Sequence, residues 1–334
     1  VRIAVTGSIA TDHLMTFDGR FADSLLAEKL ERVAVSFLVS DLQIRRGGVA
    51  ANIAFGLGTL GLRPLVVAAV GQDFGDYRSW LEAHGVDCSA VLVTDAGHTS
   101  RFVCTTDRDQ AQIASFYPGA MTQAREIQLA PLGALAPLDL VVVSPNDPEA
   151  MLRHTQECRR NGIPFVADPS QQLSGMDGER IRALVDGAAY LFSNDYEAVL
   201  IERKTGWSAE DVLERVGVRV TTHGEKGVVV EGRDLDGAGT GRIEVPVVPA
   251  QAVVDPTGVG DAFRAGYLAA LSWGLPIRTC AEVGSTLATL VIETVGTQEY
   301  RLDPDAFLER IRGSYGVDSA SAVAPHLPSG SHAR

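Results

Sequence analysis

Apolar positions along the chain fall into short unbroken runs separated by amphipathic stretches. Residues 2–6, 65–70, 138–143, 165–167 and 190–192 are such runs. They are too short for helices and carry little polar alternation, which predicts strands buried on both faces. Between and beside them, 49–60, 74–84, 148–159, 179–186 and 195–204 have the three- and four-residue apolar spacing of helices. Gly85 is placed to close the second of these. Further on, 218–222 and 228–231 read as strands, and 259–273, 277–293 and 303–312 as helices. Apolar strands separated by helices imply a mostly parallel sheet covered on both sides. Two segments break this rhythm. Residues 32–46 alternate loosely (Val33, Val35, Phe37, Val39, Leu42, Ile44), and 99–116 read as extended, with strands at 101–105 and 112–116. Together they predict a small separate β-layer that acts as a lid. From about residue 317, Ser, Ala, Pro and Gly dominate, a composition that predicts a disordered tail.

At 334 residues and 46% hydrophobic composition, the chain suffices for one large α/β domain or two modest ones. No apolar run reaches transmembrane length and no signal-peptide pattern precedes the first strand, so a soluble, cytoplasmic protein without membrane partners is expected. The formal net charge of −13 argues against a nucleic-acid partner, which needs a basic footprint. It leaves room for a phosphate-bearing substrate, which needs only a local positive field. Cys88, Cys104, Cys158 and Cys280 are widely spaced and expected as buried free thiols. The histidines show no metal-ligand spacing, so no structural metal site is expected.

The densest chemistry lies in Asp255-Pro256-Thr257-Gly258-Val259-Gly260-Asp261-Ala262-Phe263, just where a helix opens. Glycines at a helix start present backbone N–H groups, and the macrodipole there favours an anion. Gly258, Val259 and Gly260 therefore suit a phosphoryl group, and Asp261 suits a base that takes a proton from a hydroxyl. A second cluster, Gly47-Gly48-Val49-Ala50-Ala51-Asn52, places an amide one turn inside a helix. Asn disfavours helix interiors, so Asn52 is a candidate ligand contact, while the glycines alone read equally as a turn. Asn194 and Glu197 stand three apart at a helix start. They fit a Mg²⁺ held partly through water, or a capping box. Thr222, His223, Gly224, Glu225, Lys226 and Gly227 link two strands. They form a tight turn or a nucleotide-phosphate approach, but no Walker A loop, whose pattern is absent from the chain. Phe102 and Phe116 belong to the lid strands, as small-core residues or as platforms for a planar ligand. Ser8 and Asp12, Asp168 to Gln172, and Asn194 with Glu197 all follow predicted strands, where open α/β sheets bind ligands.

These residues resemble the ribokinase-like (PfkB) carbohydrate kinases. The stretch 255–263 looks like the family's C-terminal signature, and Gly47-Gly48 with Asn52 like its N-terminal one. Val70-Gly71-Gln72-Asp73-Phe74-Gly75 and Asn194-x-x-Glu197 are also similar, and the resemblance runs in order over about 2–312. It implies a Rossmann-like three-layer α/β/α ribokinase fold with a small β-sheet lid, contributed by about 13–46 and 97–118. Residues 1–312 would then form one kinase domain, followed by a disordered 313–334. It also implies transfer of the ATP γ-phosphoryl group to a primary hydroxyl. Asp261 would be the base and Gly258 to Gly260 the anion hole. Ser8, Asp12, Gly48 and Asn52 would hold the acceptor. Asn194 and Glu197 would serve the Mg²⁺–phosphate region, and Thr222 to Gly227 with Gly260 the ATP. A monovalent cation such as K⁺ near Asp255 and Thr257 is common in the family.

One departure narrows the acceptor. The family's sugar kinases carry D-x-N-x-R where this chain has Asp168-Pro169-Ser170-Gln171-Gln172. Without the arginine, the amides of Gln171 and Gln172 suit a neutral ligand with donors and acceptors, such as a purine edge. With Phe102 and Phe116 for stacking, and with the run Thr6 to His13, the pattern is similar to that of the actinobacterial adenosine kinases. That likeness implies adenosine and ATP as substrates, AMP as product in purine salvage, and a homodimer through the lid strands, with Ser36 reaching the partner's nucleoside. A ribose- or fructose-type sugar kinase of the same family is the alternative.

Overall fold

The computed structural model describes residues 1–24, 35–135, 137–233, 235 and 241–328. Its strands are β1 (Ile3–Thr6), β2 (Ala10–Thr16), β3 (Asp41–Gly47), β4 (Leu65–Val70), β5 (Asp87–Val93), β6 (Ser100–Thr106), β7 (Gln112–Tyr117), β8 (Leu140–Val143), β9 (Phe165–Ala167), β10 (Tyr190–Asn194), β11 (Val218–Thr222), β12 (Val228–Gly232) and β13 (Gly241–Val245). Its helices are α1 (Phe21–Ser24), α2 (Val49–Thr59), α3 (Gly75–Ala83), α4 (Ala130–Leu135), α5 (Pro148–Asn161), α6 (Gly178–Val185), α7 (Asp195–Thr205), α8 (Ala209–Arg215), α9 (Val259–Ser272), α10 (Ile277–Ile292), α11 (Pro304–Tyr315) and α12 (Val317–Val323).

The continuous apolar runs are central strands. Every residue of β1, β4 and β8 is buried, as a sheet covered on both faces demands. A nine-stranded sheet runs β13-β12-β11-β10-β9-β8-β1-β4-β5. It is parallel from β11 to β5, and β12 and β13 add an antiparallel edge. Side-chain alternation divides its residues between two cores. Ile3, Val5, Val66, Val142 and Phe192 pack with α2, α3, α9, α10 and α11. Ala4, Val67, Val141, Phe165 and Leu191 pack with α5, α6, α7 and α8. The result is the expected three-layer α/β/α arrangement. Beside it lies a four-stranded sheet in the order β3-β2-β6-β7, the predicted separate β-layer.

From β1 the chain builds outward to β4 and β5 on one side, then returns to β8 and builds the other side. The strand order therefore reverses between β1 and β8, and a crevice opens beyond the carboxyl ends of these strands. Ser8, Asp168 to Gln172, Asn194 with Glu197, and Thr222 lie at or just after the carboxyl ends of β1, β9, β10 and β11.

Three sequence expectations change. Residues 313–328 are not a disordered tail. Helix α11 runs on to Tyr315, and α12 follows with Ala320 and Val323 buried in the main core. The spacing of Val317, Ala320 and Val323 gives α12 one apolar face, a signal that its Ser- and Ala-rich composition masks. In the 32–46 segment, 32–34 lie outside the described residues, and the strand starts only at Asp41. Strands β2, β5 and β13 and helices α1, α4 and α8 went unpredicted. β2 contains Thr11, Asp12 and His13, and its polarity hid it. All four cysteines are free and buried. Among the described residues, no helix is long and apolar enough to cross a membrane.

Candidate active site

Helix α9 opens directly on the glycine signature. Gly258 precedes it with φ 75°, in the left-handed region that favours glycine. A Cβ at Gly258 would sit 2.7 Å from Thr297 Cγ2. Of the first-turn N–H groups that follow, that of Val259 donates to the Pro256 carbonyl at 3.5 Å, and those of Gly260 and Asp261 have no intrahelical acceptor and suit an anion. Asp261 lies in that turn. Burial pushes its carboxyl up to about 6, against the pull of Arg264 and of a hydrogen bond from Asn52, while Asp168 and Glu197 add to the rise. A carboxylate of that strength is well matched to general-base work near neutral pH.

Asn52, on α2, meets Asp261 across the crevice, its Nδ2 donating to Asp261 Oδ2 at 2.9 Å. The polar residue that disfavours its own helix is buried in contact with the predicted base. Gly48, at the head of α2, has φ 95°, and a Cβ there would sit 2.6 Å from the backbone of Ser8 and Ala10. Ser8 accepts from the α2 start through its side chain, Val49 N to Oγ at 3.0 Å, and through its backbone, Ala50 N to O at 3.1 Å. Ser8 therefore anchors the turn, and its burial is structural as well as local to the crevice.

The lid sheet aligns residues that are far apart in sequence. Its register places Arg45, Asp12, Phe102 and Phe116 in one cross-strand row. That row faces the 255–258 segment, since Arg45 lies 3.9 Å from Asp255. Burial pushes the Asp12 carboxyl up to about 6; Asp255 adds to the rise and Arg45 opposes it. Asp255 itself accepts from Thr257 N at 2.9 Å and Gly296 N at 3.0 Å, tying the signature to the loop after α10. Phe116 is 48% exposed. Ser36 is exposed beside Phe37, whose ring packs on Phe17 and Phe21, and no described contact brings it to the crevice of its own chain.

Asp168, Ser170, Gln171 and Gln172 follow β9 at the crevice floor. Asp168 is fully buried and accepts from Arg264 Nη2 at 2.6 Å, while its Oδ2 has no partner. Ser170 adopts φ 43°, unusual for a residue with a side chain, and its Oγ donates to Glu197 Oε1 at 3.2 Å. Gln171 is exposed. Gln172 donates from Nε2 to the Asn146 carbonyl at 2.9 Å, so its amide already joins the loops after β8 and β9. Lys204 braces the same turn by donating to the carbonyls of Leu173, Ser174 and Met176.

The nucleotide candidates gather at the far end. Asn194 and Thr222 are register neighbours at the ends of β10 and β11. Asn194 and Glu197 form the capping box of α7, with Glu197 N to Asn194 Oδ1 at 2.7 Å and Asn194 N to Glu197 Oε2 at 2.8 Å. One oxygen of Glu197 caps the helix, and the other points to Ser170. Among the described residues, no group of three His, Cys, Asp or Glu could hold a metal by itself. Glu197 Oε1 and the orphaned Asp168 Oδ2 are carboxylate oxygens that could hold a Mg²⁺ through water. Residues 222–228 close the β11–β12 hairpin, His223 N donating to Gly227 O at 2.8 Å. Gly224, Glu225 and Lys226 are exposed, and His223 Nδ1 lies 3.9 Å from Asp195.

Sequence reasoning missed Arg264, Thr297, Gln298 and Tyr77. Arg264 carried a signal: an arginine amid Ala262, Phe263, Ala265 and Tyr267, on a helix buried almost all round, requires a carboxylate partner.

Residues 10–303 match the family model described as pfkB family carbohydrate kinase. The chain is 33% identical to a nucleoside kinase of Methanothermobacter thermautotrophicus, over 81% of this chain and 86% of that one. It is 28% identical to a nucleoside kinase of Methanocaldococcus jannaschii, over 93% and 96%. A solved nucleoside kinase of Burkholderia thailandensis in complex with inosine superimposes with a TM-score of 0.82 at 34% identity, covering 94% of this chain and 98% of that one.

Proposed function

The chain belongs to the PfkB family of carbohydrate kinases and is an ATP-dependent nucleoside kinase; we propose that its acceptor is adenosine, phosphorylated on the 5′-hydroxyl to give AMP. The observation that carries the choice of a nucleoside over a free sugar is the lid row. On one face of the small sheet Asp12 stands beside Phe102, and Phe102 beside Phe116. A carboxylate accepts hydrogen bonds from ribose hydroxyls, and adjoining rings give a base a surface to stack on. The absence of an arginine at Gln172 supports a neutral acceptor.

In this reading Asp12, Gly48 and Asn52 hold the ribose so that its 5′-hydroxyl meets Asp261. Asp261 takes the hydroxyl proton as the oxygen bonds to the γ-phosphorus, and the bond to the β-phosphate oxygen breaks, releasing ADP. The first-turn N–H groups after Gly258 offset the charge on the transferring group. Mg²⁺, carried by ATP, would neutralise phosphate charge. Asn194 and the 222–227 hairpin border the nucleotide. Most of the rate gain then comes from positioning and charge stabilisation rather than covalent chemistry by the protein.

The exposed outer face of the lid supports a homodimer. Leu42, Ile44 and Ile113 are 54%, 61% and 46% exposed, on the face opposite Phe102 and Phe116. Paired lids would bury them.

The test is a substrate panel with ATP: kcat/KM for adenosine, inosine, cytidine and ribose. Adenosine is expected to lead, and Phe102→Ala to lower kcat/KM for nucleosides while leaving the KM for ATP unchanged. A preference for ribose would refute the nucleoside reading, and a preference for inosine would move the acceptor within it. Asp261→Asn is expected to lower kcat by about 10²–10⁴ with nucleoside affinity kept.

A further inference from the structure

Behind Asn52 lies a chain of hydrogen bonds that ends at a donor with no choice of direction. The indole N–H of Trp80 can only donate, and it donates to Gln298 Oε1 at 3.1 Å. That fixes the Gln298 amide. Its Nε2 then faces Asn52 and donates to Oδ1 at 2.9 Å. That in turn fixes the Asn52 amide, whose Nδ2 is left facing Asp261. At the other end a carboxylate can only accept. Both ends therefore demand the same polarity, and the two amides between them have one consistent arrangement.

We propose that Gln298 and Trp80 are positioning residues that hold the NH₂ end of Asn52 against Asp261. The inference rests on Asp261 being the base. Gln298 is 1% exposed and Asn52 7%, so water does not readily replace the lost partners. The second N–H of Gln298 goes to the Tyr77 hydroxyl at 2.6 Å, and that hydroxyl donates to the Gly47 carbonyl at 2.8 Å. Thr297 lies beside Gln298, its hydroxyl 2.9 Å from Asn52 Oδ1 and 3.0 Å from the Arg46 carbonyl. Arg46 rests over the Trp80 ring at 4.1 Å. The relay is thus clamped to the last residues of lid strand β3, just before Gly48 and α2.

A donor held against Asp261 favours its ionised form, so removing the hold raises the pH at which the base is lost. The other charged groups facing Asp261 are Arg264 on its own helix, Asp168 after β9 and Glu197 on α7. None of them is touched by the substitutions below.

The experiment is the pH profile of kcat/KM for the full-length enzyme with ATP and nucleoside. Asn52→Ala is expected to move the acid limb upward. Gln298→Met should move it the same way by roughly half a unit to one unit, with activity recovering at high pH. The double variant should match Asn52→Ala alone, because Gln298 acts through Asn52. Trp80→Phe keeps the ring and removes the indole N–H; it should give a smaller shift in the same direction, and it carries the test should Gln298→Met fail to fold. Additive shifts, or an unmoved acid limb in Gln298→Met and Trp80→Phe while Asn52→Ala shifts it, would overturn the proposal. A loss of activity equal at every pH would mark a structural role and overturn it as well. An Asp261→Asn variant that keeps its kcat would instead refute the base assignment, a separate failure.

Discussion

Replacing Arg264 by methionine should destabilise the protein by about 3–5 kcal/mol at pH 8, the range seen when one partner of a buried ion pair is removed. Arg264 Nη2 lies 2.6 Å from Asp168 Oδ1, with side-chain exposures of 8% and 0%. At an effective dielectric of about 20, the gross attraction at that separation is about 6 kcal/mol, part of it offset by desolvation. Asp168 has nothing to fall back on, since its Oδ2 is already without a partner. Methionine keeps most of the side chain's length, so the loss reports charge rather than volume. The sign of the pH dependence follows from Asp168, whose pKa burial raises and Arg264 opposes. A carboxyl with a raised folded pKa loses stability as pH climbs from its unfolded value through the folded one. Without Arg264 the folded pKa climbs further, so the deficit should be largest at pH 8 and shrink toward pH 5 as Asp168 takes up a proton. Urea unfolding of both proteins at the two pH values, followed by circular dichroism, measures this. Adding Asp168→Asn to Arg264→Met should recover about half of the loss or more, because a neutral amide needs no counter-charge. A deficit below about 1 kcal/mol at pH 8, or one equally large at pH 5, would refute the reasoning.

Two further outcomes are expected. Gly258→Ala forces a left-handed alanine at φ 75° and places its Cβ 2.7 Å from Thr297. It should cost about 1–3 kcal/mol in urea unfolding and lower kcat more than it raises either KM; an unchanged kcat would remove the anion-hole role. Ile44→Asp, on the exposed face of the lid, should give a monomer in sedimentation velocity with an unchanged circular dichroism spectrum. An unchanged sedimentation coefficient would show that this face is not the interface.

What the sequence made legible was local. Glycines before a helix, an aspartate one residue on, and apolar runs of strand length all lie within a window of a few residues, so spacing alone exposes them. Long-range pairing is what stayed hidden. Asn52 was a candidate because it disfavours a helix interior, but its contact with Asp261 spans 209 positions and has no signature in either segment. The lid row is similar. Phe102 and Phe116 were singled out separately, and only the register of β2, β6 and β7 sets them beside Asp12. The amides of Gln171 and Gln172 both read as ligand contacts, and one N–H of Gln172 donates to the Asn146 carbonyl, which leaves its Oε1 and second N–H for a ligand. A backbone acceptor two loops away cannot be seen in a composition or a motif. The capping alternative for Asn194 and Glu197 and the metal-region reading are both compatible with the geometry, because the two oxygens of one carboxylate divide between them.

The two sheets divide the work, and this division has consequences for how the protein can change. Asp261 and the N–H groups of α9 belong to the main body, where α9 packs between strands and α10; their geometry is set by the core. Asp12, Phe102 and Phe116 belong to a small sheet whose β7 is exposed along its whole length. On the proposed reading, substitutions in the lid row would alter which acceptor is held while Asp261 and the N–H groups of α9 keep their support. On that reading the two parts must still agree at one place, because the acceptor's hydroxyl would have to reach Asp261. The chain joins them through β3, Gly47 and Gly48 to α2, and Asn52 sits one turn inside that helix. Asn52 touches Asp261 directly, and through Thr297 and Gln298 it lies against the carbonyl of Arg46 and the hydroxyl that holds Gly47. On the proposed reading, a lid that shifted its last strand would act on the side chain that donates to Asp261, which would couple acceptor placement and proton removal at Asn52.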